Sequence, residues 1–265
     1  FSNFFLFMAI LIGPAGLGSH PIENLMNLHK LKLDCVEIEF VRNIYLTNKT
    51  AEPIGKEAKK LGISLSIHAP YYINLASDDK EKITASKKRL FDSCERGHHL
   101  GANYVVFHPA YYGKRSKEET YEMVKEALLE LHKALEEAGF DKVKLCPETT
   151  GKATQFGDID ELVRLSKETK CGLCVDFAHI YARNIGKIDY DYVCKLIKDV
   201  KPLTAHFTGI NFTNKGERSH KETEPERAKE LLTYLKKYNI DIRIINESPQ
   251  SLQDALMMKK ILGEI

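Results

Sequence analysis

The chain contains no apolar run long enough to cross a bilayer. The one candidate, Phe1 to Ile12, falls short of the roughly 20 residues a spanning helix needs and has no basic flank of the signal-peptide kind. No membrane partner is expected. Charge of one sign is also missing: 39 Lys and Arg face 37 Asp and Glu, a net of +2. That balance neither marks nor excludes a nucleic-acid partner, because a local basic rim can sit inside a balanced total. No linker, low-complexity tract or shift in composition divides the 265 residues, so residues 1–265 are read as a single domain; a monomer is the expectation. Cys171-Gly-Leu-Cys174 has no second such pair and therefore reads as buried thiols at the start of a strand, not as a zinc knuckle. With Cys35, Cys94, Cys146 and Cys194 it makes six cysteines in apolar or helical contexts, which fits free thiols in a reducing cytoplasm. Phe1 to Phe7 precede the first plausible strand and read as a tag, an extension or an outer layer.

What is present is a repeat. Short β-like runs recur about every 30 residues with charged helix-compatible stretches between them, the pattern of strand–helix units and a parallel sheet. The runs are Ala9–Gly13, Cys35–Phe40, Ser64–His68, Tyr104–His108, Val143–Glu148, Gly172–Asp176, Leu203–Phe207 and Asp241–Glu247. Eight of them point to an α/β fold closed as a single (β/α)8 TIM barrel, where an open doubly wound sheet more often stops at five or six. The clearest helix is Ser116 to Glu137. Tyr121, Val124, Leu128, Leu131 and Leu135 recur at helical steps, Ser116 and Glu119 form a capping box, and Gly139 supplies the stop. Weaker helices fit Pro21–Lys30, Thr50–Leu61, Asp79–Leu100, Asp158–Lys167, Tyr190–Val200, Pro225–Tyr238 and Leu252–Leu262.

The chemistry lies at the ends of the strands. His68, His108, Glu148, Asp176, His206 and Glu247 each fall within one residue of the end of a run. The C-terminal ends of barrel strands converge on one mouth, so residues far apart in sequence are predicted to meet. Any single histidine here is an ordinary hydrogen-bonded residue by default. Six potential ligands in phase are not, because unpaired polar ends are costly to bury and a metal satisfies several together. The mixture of imidazole and carboxylate, without cysteine, suits zinc or manganese. More ligands than one tetrahedral ion needs implies at least two ions, and hence hydrolysis at phosphorus as the leading reaction.

Two further histidines extend the set. Asp176-Phe-Ala-His179 places a carboxylate and an imidazole on a turn leaving the sixth strand, and His220 lies in the loop after the seventh. His20, His29, His98, His99 and His132 read as surface residues. Glu37 and Glu39 share one face of the second strand, and a supporting role outweighs a ligand role for Glu39. Arg42, Lys114, Arg115, Lys152, Arg183, Lys215 and Arg218 sit near strand–helix loops, where phosphate contacts are possible.

These motifs resemble the endonuclease IV family of apurinic/apyrimidinic endonucleases, within the xylose-isomerase-like barrel superfamily. The resemblance runs from about Ile12 onward. It is carried by Ser66-Ile-His68-Ala-Pro-Tyr71-Tyr-Ile-Asn74-Leu-Ala, Phe107-His108-Pro109, Pro147-Glu148-Thr149 with Gly151, Cys174-Val-Asp176-Phe-Ala-His179 and Asn246-Glu247. It implies a zinc cluster that cleaves double-stranded DNA on the 5′ side of an abasic site and leaves a 3′-hydroxyl. Carried over, His68, His108 and Glu148 hold one ion, and Glu148, Asp176, His206 and Glu247 a second. Glu247 orients the attacking water or takes its proton, and Tyr71 stacks on or wedges beside the damaged nucleotide.

One departure stands out. The family holds a third ion with a histidine matching His179 and an Asp-x-His pair, and here that stretch reads Gly216-Glu217-Arg218-Ser219-His220. Arg218 takes the aspartate position, and an arginine cannot bind a cation. Either Glu217 shifts register to serve, or the third site is weak, or two metals suffice and Arg218 is left to contact DNA. Two other readings stay open: a sugar isomerase or epimerase holding one metal at Glu148, Asp176, His206 and Glu247, and a catalytically impaired DNA-damage binder.

Overall fold

Side chains along a strand point alternately to its two faces, so in a closed barrel one parity packs under the helices and the other fills the interior. The computed structural model, which describes residues 9–265, has eight parallel barrel strands. They are β1 (Ile10–Pro14), β2 (Cys35–Glu39), β3 (Ser64–His68), β4 (Tyr104–Phe107), β5 (Lys144–Pro147), β6 (Leu173–Asp176), β7 (Leu203–Phe207) and β8 (Ile242–Asn246). The expectation for Phe1 to Phe7 lies outside the described residues.

The strands hydrogen-bond as two four-stranded sheets, β2-β3-β4-β5 and β1-β8-β7-β6. The halves close on each other through Ala15 beside Glu37 and Glu148 beside Cys174, both parallel bridges. At the first seam the Gly16 amide donates to the Glu37 carbonyl at 2.9 Å. Gly13 is required there, because a Cβ at that position would lie 1.7 Å from the Cys35 carbonyl oxygen. The chain is thus a closed α/β barrel, as the repeat predicts.

Nine helices are described: α1 (Pro21–Lys30), α2 (Asn48–Leu61), α3 (Lys80–Leu100), α4 (Lys117–Glu137), α5 (Ile159–Thr169), α6 (Phe177–Arg183), α7 (Tyr190–Ile197), α8 (Pro225–Lys237) and α9 (Ser251–Glu264). Their starts follow from local chemistry. Ser116 accepts from the Glu119 amide at 3.2 Å while Glu119 accepts from the Ser116 amide at 2.8 Å, and proline opens α1 and α8. Along α4, Tyr121, Val124, Leu128, Leu131 and Leu135 are buried against the barrel; truncating one such leucine to alanine costs about 2–5 kcal/mol.

The outward parity of the strands, including Val36, Ile38, Leu65, Ile67, Val105, Phe107, Leu145, Leu173, Val175, Ala205 and Ile244, joins the helices in one apolar core. The inward parity is different in kind. Val106, Cys146 and Cys174 form a small plug, and beside it Ser66, Glu37, Thr204 and Arg243 make a buried polar layer. All six cysteines are buried free thiols. No helix among the described residues is long and apolar enough to cross a membrane.

Two antiparallel ribbons over the mouth depart from the sequence reading, as does α6. One ribbon pairs Ala110–Tyr111 with Gln155–Phe156. The other pairs Gly209–Thr213 with Gly216–Lys221, with a break in register between Asn211 and Phe212. The expected turn after β6 is helix α6, started by Asp176, whose Oδ1 accepts from the His179 amide at 2.6 Å. The expected loop holding His220 is a strand of the second ribbon.

Candidate metal centre

Inward parity carries seven of the eight barrel strands, all but β1, to a polar end. Reading two residues at a time gives Glu37 then Glu39, Ser66 then His68, Val106 then His108, Cys146 then Glu148, Cys174 then Asp176, Thr204 then His206, and Ile245 then Glu247. Those ends open into a cavity of about 450 Å³ lined by Glu39, His68, His108, Glu148, His179, Glu217, His220 and Glu247, with Tyr71, Tyr111, Lys152 and Gln155 completing the wall.

Three donor groups overlap there. His68, His108 and Glu148 each offer an atom within 4.8 Å of the others; so do Glu148, Asp176, His206 and Glu247, and so do Asp176, His179 and His220. Every one of the eight metal-ligand candidates from the sequence falls into one of these groups. Glu148 is the hub. Its Oε2 lies 3.2 Å from His68 Nε2 and 3.0 Å from His108 Nε2, and its Oε1 lies 3.2 Å from His206 Nδ1 and 3.2 Å from His179 Nδ1.

The histidines are held in set tautomers. His68 Nδ1 is 2.8 Å from the Ala69 carbonyl, His179 Nδ1 is 3.0 Å from the Thr149 carbonyl and His220 Nδ1 is 3.2 Å from the Glu247 carbonyl. A carbonyl only accepts, so Nδ1 carries a proton in each and Nε2 is the nitrogen left to face the mouth, where that of His68 meets Glu148 Oε2 at 3.2 Å and that of His179 meets Glu217 Oε2 at 3.5 Å. His206 is turned the other way. Its Nε2 lies 2.8 Å from Glu37 Oε1, though off hydrogen-bond alignment, and its Nδ1 faces Glu148 and Glu247 at 3.2 Å each. Glu37 is itself anchored by the Ser66 hydroxyl at 2.5 Å and approached by Arg243 at 3.5 Å. This is the outer arrangement that fixes metal-binding imidazoles, whose second nitrogen habitually meets a carbonyl or carboxylate.

Protonation follows from the crowding. Burial opposes ionisation of Glu37, yet His206, His68 and Arg243 hold its carboxyl down at about 2. Burial likewise works against a charged His68, but the Glu148 contact outweighs it and lifts the imidazole to about 9. Glu247 moves up, through burial and then the repulsion of Glu148 and Asp176, which exceed the pull of His206 and His68. Glu39 also moves up, chiefly by burial. Five carboxylates, Glu39, Glu148, Asp176, Glu217 and Glu247, thus meet around one mouth. Asp176 Oδ2 is buried with no hydrogen-bond partner. A buried carboxylate oxygen without a hydrogen bond, set among carboxylates and imidazoles, is a donor set that fits divalent cations.

Sequence reasoning missed or underweighted four residues. Glu37 was legible by alternation from Glu39. Tyr111 and Gln155 come from the first ribbon and carry no local signal. Glu217 lines the cavity with Oε2 3.5 Å from His179 Nε2, whereas Arg218 is exposed and does not line it. Of the basic residues, Lys152 faces the cavity. Arg115 is committed to Asp78 at 2.6 Å and Arg183 to the carbonyls of Lys152 and Gln155 at 2.5 and 2.9 Å, so neither is free for phosphate as the sequence suggested.

Fold and mouth together define a parallel β/α barrel with histidine and carboxylate donors gathered at its C-terminal face. The chain belongs to the xylose isomerase-like TIM barrel family, which it matches over residues 25–201. It is 38% identical over 252 residues to an uncharacterized protein of Methanocaldococcus jannaschii, covering 90% of each chain. It is 30% identical over 142 residues to a protein of Metamycoplasma arthritidis named Probable endonuclease 4, an alignment that spans 50% of this chain and 48% of that one. Among solved structures, endonuclease IV from Thermus thermophilus superposes with a TM-score of 0.68 at 21% identity, covering 96% of this chain and 97% of that one. L-ribulose 3-epimerase superposes with a TM-score of 0.72 at 14% identity, covering 97% and 94%. Identities this low in the two solved structures establish a shared fold.

Proposed function

We propose that this protein is a metal-dependent phosphodiesterase that hydrolyses double-stranded DNA on the 5′ side of an abasic site, leaving a 3′-hydroxyl. The observation that carries this reading is the overlap of the donor groups, in which Glu148 belongs to two and Asp176 to two. A shared carboxylate suits ions held a few ångströms apart, and the His-rich donor set suits zinc over magnesium or calcium, with manganese the next choice. His68, His108 and Glu148 would hold one ion, and Glu148, Asp176, His206 and Glu247 a second. Bound there, the ions supply charge neutralisation at a phosphodiester and activation of water near neutral pH.

The chain's own residues then have definite tasks. Glu247, whose carboxyl is pushed upward by its surroundings, is placed to take a proton from the attacking water and orient it. Tyr71 is held protonated, its pKa raised to about 12 by burial and by Glu39 and Glu247, so its hydroxyl donates to an anionic substrate. Lys152 offers a cation at the same wall. Tyr71 and Tyr111 are about half exposed, at 55% and 49%, and present rings on which a neighbouring base can stack. A cavity of about 450 Å³ admits a sugar phosphate but not a stacked base pair, so the substrate nucleotide must leave the helix. A nucleotide without a base does so at the lowest cost. The aligned half of the proteins named Probable endonuclease 4 supports the same reading.

A second reading, a sugar epimerase, is favoured by the superposition on L-ribulose 3-epimerase and would use only Glu148, Asp176, His206 and Glu247. It leaves His68, His179 and His220, gathered at the same mouth, without a task as metal ligands. The deciding experiment is incubation of zinc-loaded protein with a duplex carrying one tetrahydrofuran abasic analogue. Nicking on its 5′ side is expected; an intact duplex together with interconversion of ketose epimers would reject the proposal.

A further inference from the structure

We propose that Glu217, and not the residue at the expected position, completes a third cation site with His179 and His220, because a bulge in the second ribbon turns Glu217 inward and Arg218 out. The inference rests on the multi-metal reading above and names the ligands of one further ion.

Strand pairing sets which side chains face inward. Ile210 pairs with His220 and Asn211 with Ser219, but Phe212 pairs with Glu217, which leaves Arg218 as the extra residue of the bulge. Ile210 and Phe212 are two apart on the regular strand and share one face. Their partners His220 and Glu217 therefore share that face as well. Without the bulge, Arg218 would stand two residues from His220 and occupy it. The shared face is the one that matters, since Ile210 packs against Ala178 and Ala182, with Phe212 beside them, on helix α6, and α6 carries His179.

Close packing fixes the result. The Glu217 amide donates to the Gly151 carbonyl at 2.9 Å. A Cβ on Gly151 would meet Glu217 Cβ at 2.6 Å, and one on Gly216 would meet the Gly151 carbonyl oxygen at 2.3 Å. Two glycines thus bring the ribbon against the loop after β5 and set the Glu217 carboxylate 3.5 Å from His179 Nε2. The His179 and His220 Nδ1 atoms both face carbonyls, so Nε2 is the atom of each that remains to bind a cation on this side. A separate observation points to a ligand in the same place. Asp176 is fully buried, its Oδ2 makes no hydrogen bond and lies 3.3 Å from His179 Nδ1, and it offers an atom within 4.8 Å of His179 and His220. His179 and Asp176 are anchored at the barrel end, whereas Glu217 and His220 sit half-exposed on the ribbon, so this ion is the last to bind and the first to leave.

The test is stoichiometric. Metal-free protein is titrated with Co²⁺, followed by its visible d–d absorption, and zinc-reconstituted samples are counted by plasma mass spectrometry. Wild type is expected to take three equivalents, the third weakest. Glu217→Gln and Glu217→Ala are expected to take two, with the far-ultraviolet circular dichroism of the metal-free protein unchanged, and Arg218→Ala is expected to keep three. Three equivalents in a folded Glu217→Ala variant would overturn the proposal, as would only two in wild type. Fewer than two in wild type would instead reject the multi-metal reading on which it stands.

Discussion

The floor of the mouth and its rim are built differently. On the floor, His68 and Asp176 are the last residues of β3 and β6, His206 is the last but one of β7, and His108, Glu148 and Glu247 follow β4, β5 and β8 directly. Their directions are set by parallel pairing such as Asp176 with His206. At the rim, His179 stands on a seven-residue helix, and Glu217 and His220 on a bulged two-stranded ribbon. The floor is rigid because one slipped register would move every side chain to the wrong face and expose the core. A ribbon with no such penalty can shift its side chains by one residue, as the bulge at Arg218 does. The contrast teaches that a barrel holds its inner donors by sheet register and its outer ones by loop packing.

The largest expected effect lies at the hub between the two regions. Glu148→Gln keeps the shape but removes the charge that four imidazoles face, so nicking should fall by roughly 10³-fold or more, beyond the 10–100-fold typical of a residue that only orients a ligand. Single-turnover assays on the abasic duplex measure it. A loss of less than tenfold would show that the floor is not the reacting centre.

Proton linkage comes next. The Glu148 contact lifts His68 to about 9, so at neutral pH an incoming ion must displace that proton. Apparent zinc affinity should therefore rise with pH up to about 9 and fall about tenfold per unit below it for each proton displaced. Calorimetry in buffers of different ionisation enthalpy reads the protons released. Affinity independent of pH between 6 and 8 would contradict the assigned contacts.

A smaller effect separates floor from support. Glu37→Gln weakens the acceptor that holds His206 with Nδ1 toward the mouth, and zinc affinity should drop by about 10–100-fold while the metal-free fold persists. An unchanged affinity would mean that β2 does not set the His206 tautomer. The smallest effect is at the rim. Tyr111→Ala should weaken duplex binding by about 1 kcal/mol, roughly fivefold in KM, with kcat unchanged; a change confined to kcat would place Tyr111 at the reacting atoms instead.

The sequence revealed these regions unequally, and for physical reasons. Leu-Ser-Ile-His68 and Tyr-Val-Val-Phe-His108 announce both a strand and its polar end, because burial on the outward face forces apolar residues onto one parity. The helix boundaries were legible within a residue or two where caps mark them, as at Ser116 and Asp79. Helix α6 was not, since seven residues carry too little period. The ribbon 209–221 was not either: its residues are largely polar and half-exposed, so no alternation shows, and a bulge leaves no local mark. Hence Arg218 was placed where Glu217 stands. Glu37 was readable from strand alternation, but its role required seeing His206 three strands round the closed barrel.

The central claim is that the floor works as one multinuclear centre. Its most direct test is to add zinc stepwise to metal-free protein and record nicking of the abasic duplex against equivalents bound. The account predicts little cleavage through the first equivalent and a steep rise as the second binds. Full activity at one equivalent, or an intact duplex at saturation, would contradict it.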